Sequence, residues 1–263
     1  MLQGLFKKKA ATQAAGWFGR YDSWNQVLQQ TTGYDAELIL EKTKQALLQV
    51  KNGKAVYERD SVLFNQKQYP FPLLTFLLHS AHQKKRPLHV LDFGGSLGST
   101  YYQVKEFLTS EVCQSWNVVE QSHYVACGSE NFADDLLHFF PSIEACVEAH
   151  PVDFIILSSV VQYLPEPHAF LDELVRWDFE FILFDRTAFI QENQDRLTLQ
   201  QVPAEIYLAS YPAWFFHEPT FLAHFQKAYT VVADFTSYVP GEEIMRIDQQ
   251  PVGYDKGFYL TKK

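Results

Sequence analysis

The chain has 263 residues, 47% hydrophobic and 16% aromatic, enough for one large domain or a domain with an appended lobe. Its net charge of −9, with acidic and basic residues intermixed, excludes the basic stripe that nucleic-acid binding needs. No apolar run approaches the ~18 residues that cross a bilayer, so a soluble, cytoplasmic protein without an integral membrane segment is expected.

Residues 1–85 carry helical signals and are expected to form an N-terminal helical lobe. Lys7-Lys8-Lys9 reads as a solvated end. Ser23 is placed to cap a helix from Trp24 to Gln30. Asp35 is placed to cap a longer one, with Leu38, Leu40, Ala46, Leu47 and Val50 on its apolar face and Gly53 as its stop. Pro72 opens a further helix through Leu73, Leu74, Phe76 and Leu77. Between them lies a charged stretch, Tyr57-Glu58-Arg59-Asp60-Ser61-Val62.

Residues 86–263 change pattern. Strand-like runs at Leu88–Phe93, Ser115–Glu120, Leu137–Ile143, Asp153–Ser158 and Phe179–Asp185 alternate with helical stretches. Such alternation predicts right-handed βαβ units and a parallel sheet. A segment at about 188–222, rich in aromatic residues (Tyr207, Tyr211, Trp214, Phe215), is expected to cap the sheet's ligand crevice. Tyr229–Tyr238 and Gly257–Thr261 read as an antiparallel pair that closes the sheet.

Three strand ends carry the candidate site. The first strand ends in Asp92 and turns through Gly94, Gly95, Ser96 and Gly98 into a helix. Glycines there permit positive φ and close approach of a ligand to the backbone, and the helix start favours an anionic group. The second strand ends in Glu120, a carboxylate able to accept both hydroxyls of a ribose; its offset from Asp92 exceeds the ~20 residues of a dinucleotide fingerprint. The fourth ends in Ser158 and Ser159, followed by Gln162 and Tyr163, and in open α/β sheets ligands bind beyond such ends. The fifth ends in Asp185-Arg186, read either as a mutual ion pair or as substrate-facing groups. Cys113, Cys127 and Cys146 lack metal spacing and read as reduced thiols. His79 and His82 have no acidic or thiol partner nearby, so no metal site is predicted.

Together these elements resemble a class I S-adenosylmethionine-dependent methyltransferase over roughly residues 85–263. The resemblance implies a Rossmann-like α/β fold: a seven-stranded, mostly parallel sheet with a reversed last strand. It implies S-adenosylmethionine as cofactor, its methionine part cradled at Asp92, Gly94, Gly95 and Gly98, its ribose at Glu120, and Ser158 and Ser159 beneath the reactive methyl. Ser96 departs from the commonest glycine pattern.

Over the whole chain, Trp17-Phe18-Gly19, Tyr21-Asp22-Ser23-Trp24, Gly33-Tyr34-Asp35, Tyr57–Val62, Leu91–Ser99, Val119-Glu120-Gln121, Leu157–Val160, Asp185-Arg186-Thr187 and Tyr211-Pro212 resemble a bacterial methyltransferase family associated with surface-polysaccharide gene clusters. The implied reaction is O-methylation of a sugar or glycolipid precursor. Asp185 is the expected base, Tyr163 the group that positions a small-molecule or glycan acceptor, and Tyr57 and Arg59 the residues that close the site. Two rival readings are a catalytically silent partner protein of the same fold, which Ser96 permits, and a nicotinamide-dependent oxidoreductase.

Overall fold

The computed structural model describes residues 15–31, 36–204, 206 and 209–263. The capping role of Asp35, the lysines at 7–9, the Gly33-Tyr34-Asp35 motif and Tyr207 lie outside the described residues. In chain order the elements are β1 (Gly16–Tyr21), α1 (Trp24–Leu28), α2 (Ala36–Lys51), β2 (Tyr57–Arg59), β3 (Val62–Phe64), α3 (Phe71–Lys84), β4 (Leu88–Phe93), α4 (Ser99–Val104), β5 (Cys113–Val119), α5 (Ser122–Asn131), β6 (Leu137–Phe140) and α6 (Ile143–Ala149). There follow β7 (Phe154–Ser158), α7 (Pro167–Arg176), β8 (Phe181–Ile190), β9 (Arg196–Gln201), β10 (Ser210–His217), α8 (Glu218–Ala223), β11 (Tyr229–Thr236), β12 (Met245–Ile247) and β13 (Gln250–Lys262).

Local signals act where expected. Ser23 Oγ accepts from the Gln26 N–H at the start of α1, and Gly53, with φ +68°, follows the end of α2. Strands β4, β5, β6, β7 and β8 pair in parallel in the order β6-β5-β4-β7-β8. Their side chains alternate between two faces, as the period of a strand requires. Val90, Ile156 and Leu183 pack under α2–α5, whereas Leu91, Ile155 and Ile182 pack under α6–α8. Burial on both faces explains why these strands are almost continuously apolar.

The sheet is larger and more mixed than seven strands. It holds eleven, and the other two described strands, β2 and β3, form a separate hairpin. The fifth strand does not stop at Asp185 but runs on to Ile190. That extension pairs with β10 on one side and β13 on the other. β10 pairs with β9, β9 with β1, β1 with β12 and β12 with β13. The pairings close a six-strand ring, β8-β10-β9-β1-β12-β13, filled by Ala188, Ile190, Phe215, Met245 and Ile247 with Trp17 against them. The aromatic segment at 188–222 therefore contributes β9 and β10 to the sheet; Phe215 packs in the ring interior, whereas Phe216 packs against Phe189 and Phe221. The N-terminal stretch supplies β1 and the β2–β3 hairpin besides helices. β1 escapes a local reading because Gly16–Tyr21 is short and glycine-broken, and its partners β9 and β12 lie far away in the chain.

Candidate active site

Strand β4 pairs with β5 on one side and β7 on the other, so the chain reverses its direction of travel across the sheet beside β4. Ligands of open α/β sheets bind at such a switch point, beyond the strands' carboxyl ends. A groove lies there. Its polar part, about 230 Å³, is lined by Glu58, Asp60, Asp92, Gly94, Glu120 and Ser159 among others. Its apolar part, about 660 Å³, is walled by Phe93, Ile143, Val160, Leu164 and Phe170. Both parts share Gly94, Glu120, Gln121 and Ser159.

The glycine turn is built by close contact. Gly94 has φ +71°, and a Cβ there would meet Val160 Cγ2 at 2.5 Å. A Cβ on Gly95 would lie 2.6 Å from the Asp92 carboxylate. Ser96 takes φ +55°, the left-handed conformation a glycine would adopt freely, so the turn keeps its course at the cost of strain. Gly98 caps α4 with φ +91° and donates its N–H to Gly95 O at 2.9 Å; it supports the turn but does not line the groove.

Five of the nine described non-glycine residues with positive φ line the polar part: Asp60, Ser61, Ser96, Ser159 and Arg186. Backbone strain of this kind costs roughly 1–3 kcal/mol per residue and gathers at functional sites.

The carboxylates are held by named donors. Glu120 accepts from the Ser96 N–H at 3.3 Å and the Gln121 N–H at 2.8 Å, and burial raises its pKa. Asp92 accepts from Trp116 Nε1 at 3.1 Å; burial, with the nearby Glu120 charge, pushes it up to about 7. Glu58 accepts from Ser99 Oγ at 2.6 Å and the Ser61 N–H at 2.7 Å, and burial raises it to about 7. The charged residues of 57–62 turn to different partners. Arg59 donates to Gln68 Oε1 at 3.0 Å and lies over Phe64, while Glu58 turns to Ser99.

The expected site residues do not all converge. Tyr57, Arg59, Asp92, Gly94, Gly95, Glu120, Ser158 and Ser159 line the polar part. Tyr57 stacks on Phe64 and hydrogen-bonds Tyr238; burial raises its pKa. Tyr163 lines the apolar part and a neighbouring cavity, with its hydroxyl donating to Gln200 Oε1 at 3.0 Å. Asp185 is withdrawn from the groove walls. Its buried carboxylate accepts from Ser158 Oγ at 3.2 Å, and burial raises it to about 6. Nor does Asp185 pair with Arg186, whose guanidinium binds Glu242 through Nε at 3.0 Å and Nη2 at 2.9 Å.

Two contacts that carry the geometry have no signal in the sequence. Ser99 and Glu58 meet only because the β2–β3 hairpin packs on α4, and Glu242 reaches Arg186 from the loop before β12. A third cavity, about 250 Å³, opens beside the polar part and shares Asp60, Ser159 and Arg186 with it. Ser159 lines all three cavities.

No protein-family model and no curated protein matches the chain. Among solved structures, it is similar to a 1,6-didemethyltoxoflavin-N1-methyltransferase of Burkholderia thailandensis with bound S-adenosylhomocysteine, at 13% identity and TM-score 0.45, covering 88% of this chain and 91% of that one. It is also similar to the N-terminal domain of EvdMO1 with S-adenosylhomocysteine bound, at 10% identity and TM-score 0.49, covering 88% and 98%. A third is CalS10, an amino pentose methyltransferase of Micromonospora echinaspora, at 12% identity and TM-score 0.43, covering 73% and 89%. Identities and scores of this order assign no activity to the chain.

Proposed function

We propose that this chain is an S-adenosylmethionine-dependent methyltransferase acting on a hydroxyl of a small-molecule or glycan acceptor, with a cytoplasmic role in surface-polysaccharide synthesis. The observation that carries the reading is the two-part groove at the β4 switch point, acidic at one end, apolar at the other, with Glu120 held at the divide. These residues fit an elongated ligand that is cationic at one end, bears a diol in the middle and ends in a flat apolar ring. Glu58 and Asp92 face the cationic end. Glu120 keeps acceptor lone pairs beyond its two backbone donors, enough for two hydroxyls. Phe93, Ile143, Val160 and Phe170 enclose the ring.

Strand order supports the same reading. In the series β6-β5-β4-β7-β8-β13-β11, β13 alone runs against the others. This is the arrangement expected of class I methyltransferases, with a reversed last strand. A dinucleotide-binding sheet of order 3-2-1-4-5-6 has no such inserted strand, which counts against the oxidoreductase reading. Ser96 in the left-handed region keeps the course of the turn, which counts against a catalytically silent partner protein.

Bound S-adenosylmethionine would supply an activated methyl group. The chain's own residues bind it, align the acceptor and take up the acceptor's proton. Asp60 is the carboxylate shared by the polar part and the third cavity, with Arg186 Nη2 at 3.7 Å, and it replaces the withdrawn Asp185 as base in this reading. Ser158 and Ser159 form the floor between cofactor and acceptor. Titration calorimetry with S-adenosylhomocysteine and NADH tests the assignment. Micromolar binding of the first without the second is expected, and absence of adenosyl binding overturns it.

A further inference from the structure

The third cavity is the mouth of the six-strand ring. Every strand of the ring contributes to its lining: Trp17 from β1, Ala188 from β8, Gln200 from β9, Ala213 from β10, Met245 from β12 and Asp255 from β13. At about 250 Å³ it falls below the ~300–1,000 Å³ of pockets that enclose drug-sized ligands, a size that suits a single small ring.

The lining is aromatic on one side and rich in acceptors on the other. Trp17, Tyr163 and Tyr211 supply ring surface of the kind that stacks on a flat or pyranose-like face. Gln162 is only 4% exposed, yet its Oε1 has no donor, while burial and the neighbouring Glu242 raise the pKa of Asp255 well above the ordinary carboxylate value. A buried acceptor without a donor costs free energy, which a ligand hydroxyl or ammonium recovers.

Charge excludes the opposite class. Arg186, the one cation lining the mouth among the described residues, is held in a fork by Glu242 and approached by Asp60 at 3.7 Å. An anionic ligand would have to face Asp60 and Glu242 with that guanidinium already taken.

Resting on the methyl-transfer reading, we propose that the mouth of the strand ring is the acceptor pocket and that it takes a non-anionic, hydrogen-bond-donating single ring: a polyol or an amine-bearing sugar. Ser159, Arg186 and Asp60 form the passage from this mouth to the polar part of the groove. Acceptor and cofactor thus meet from two sides of these three positive-φ residues. The ring is built by β8 running past the end of its parallel neighbour, so acceptor choice sits on the added strands rather than on the parallel core.

The test is ligand-observed NMR on the full chain saturated with S-adenosylhomocysteine. The probes are methyl hexosides and amino-hexoses against the matching uronates and hexose phosphates. Neutral and amine-bearing rings should bind. Gln162→Met should weaken them at least tenfold, and so should Ala213→Leu, which fills the mouth without touching a polar group. Calorimetry with S-adenosylhomocysteine checks that both variants remain folded. Preference for the anionic set, no binding by the neutral and amine sets, or binding indifferent to both variants overturns the proposal. S-adenosylhomocysteine binding without ring binding defeats this inference alone. Variant-sensitive ring binding in a protein that takes no S-adenosylhomocysteine defeats the methyltransferase reading and leaves the mouth as a ring site.

Discussion

The backbone N–H of Ser96 donates to Glu120 Oε1 at 3.3 Å. The strained residue of the glycine turn therefore also helps hold the carboxylate that divides the groove. Two strand ends are locked into one binding surface by this bond.

Ser96→Gly keeps that N–H and removes the left-handed strain. Unfolding free energy should rise by about 1 kcal/mol, with Tm up ~2–4 °C, and S-adenosylhomocysteine affinity should stay within about threefold. Ser96→Val, whose branched side chain tolerates positive φ poorly, should lower both. Thermal melts and calorimetry on the pair decide it; a less stable Ser96→Gly would mean the serine side chain matters more than the backbone state.

Glu120→Ala should weaken S-adenosylhomocysteine binding by at least tenfold, since a diol loses its acceptors and the Ser96 and Gln121 N–H groups lose theirs. Binding unchanged in this variant would place the ligand elsewhere.

Glu58, Asp92 and Asp185 are raised by burial to about 7, about 7 and about 6 from ordinary values of 4.5, 3.8 and 3.8. Between those limits the folded protein keeps protons that the unfolded chain has released. The stability they contribute is full below about pH 4 and is lost as pH rises toward 7, at up to ~1.4 kcal/mol per pH unit per group. Glu58→Gln cannot titrate, so urea unfolding of this variant should show a shallower decline from pH 4.5 to 7. A cationic ligand beside Glu58 and Asp92 favours their ionised forms, so binding near pH 6.5 should release protons. Calorimetry in buffers of different ionisation enthalpy measures that release; proton uptake would contradict the placement.

Asp60→Asn should lower kcat by ~10²-fold or more while leaving S-adenosylhomocysteine affinity close to wild type. Asp185→Asn should change kcat by less than about fivefold and act mainly on stability, because its carboxylate is withdrawn from the groove. Single-turnover rates with an acceptor that the wild type methylates separate the two. The reverse ranking would restore Asp185 as base.

At the opposite end of the sheet, Asp153 accepts from both Arg86 Nη atoms, at 2.9 and 2.5 Å, and from the His89 N–H at 3.0 Å. Asp153→Ala leaves that N–H without its partner and should cost about 2–3 kcal/mol in chemical unfolding. Ligand affinity should be unchanged, since this end holds no part of the groove.

The parallel core was legible because its causes are local. Apolar runs such as Val90-Leu91 and Ile155-Ile156 need burial on both faces, and the Asp92–Gly98 turn needs glycine φ values and close backbone contacts. Strand ends then follow from composition, and with them the positions of Glu120, Ser158 and Ser159. Asp185 stands in its expected strand but withdrawn from the groove walls, because spacing gives a residue's position along a strand but not which wall it faces once other elements pack against it.

By itself, then, the sequence determined the α/β alternation, the site's location at the strand ends and most of the groove's polar lining. Tertiary structure alone decided the closed strand ring, the meeting of Glu58 with Ser99, the capture of Arg186 by Glu242 and the conformation of Ser96. Each of these pairs groups far apart in the chain or forces a backbone state its residue does not prefer. Their stabilisation comes from packing and hydrogen bonds that exist only after the chain has folded, so no local pattern announces them.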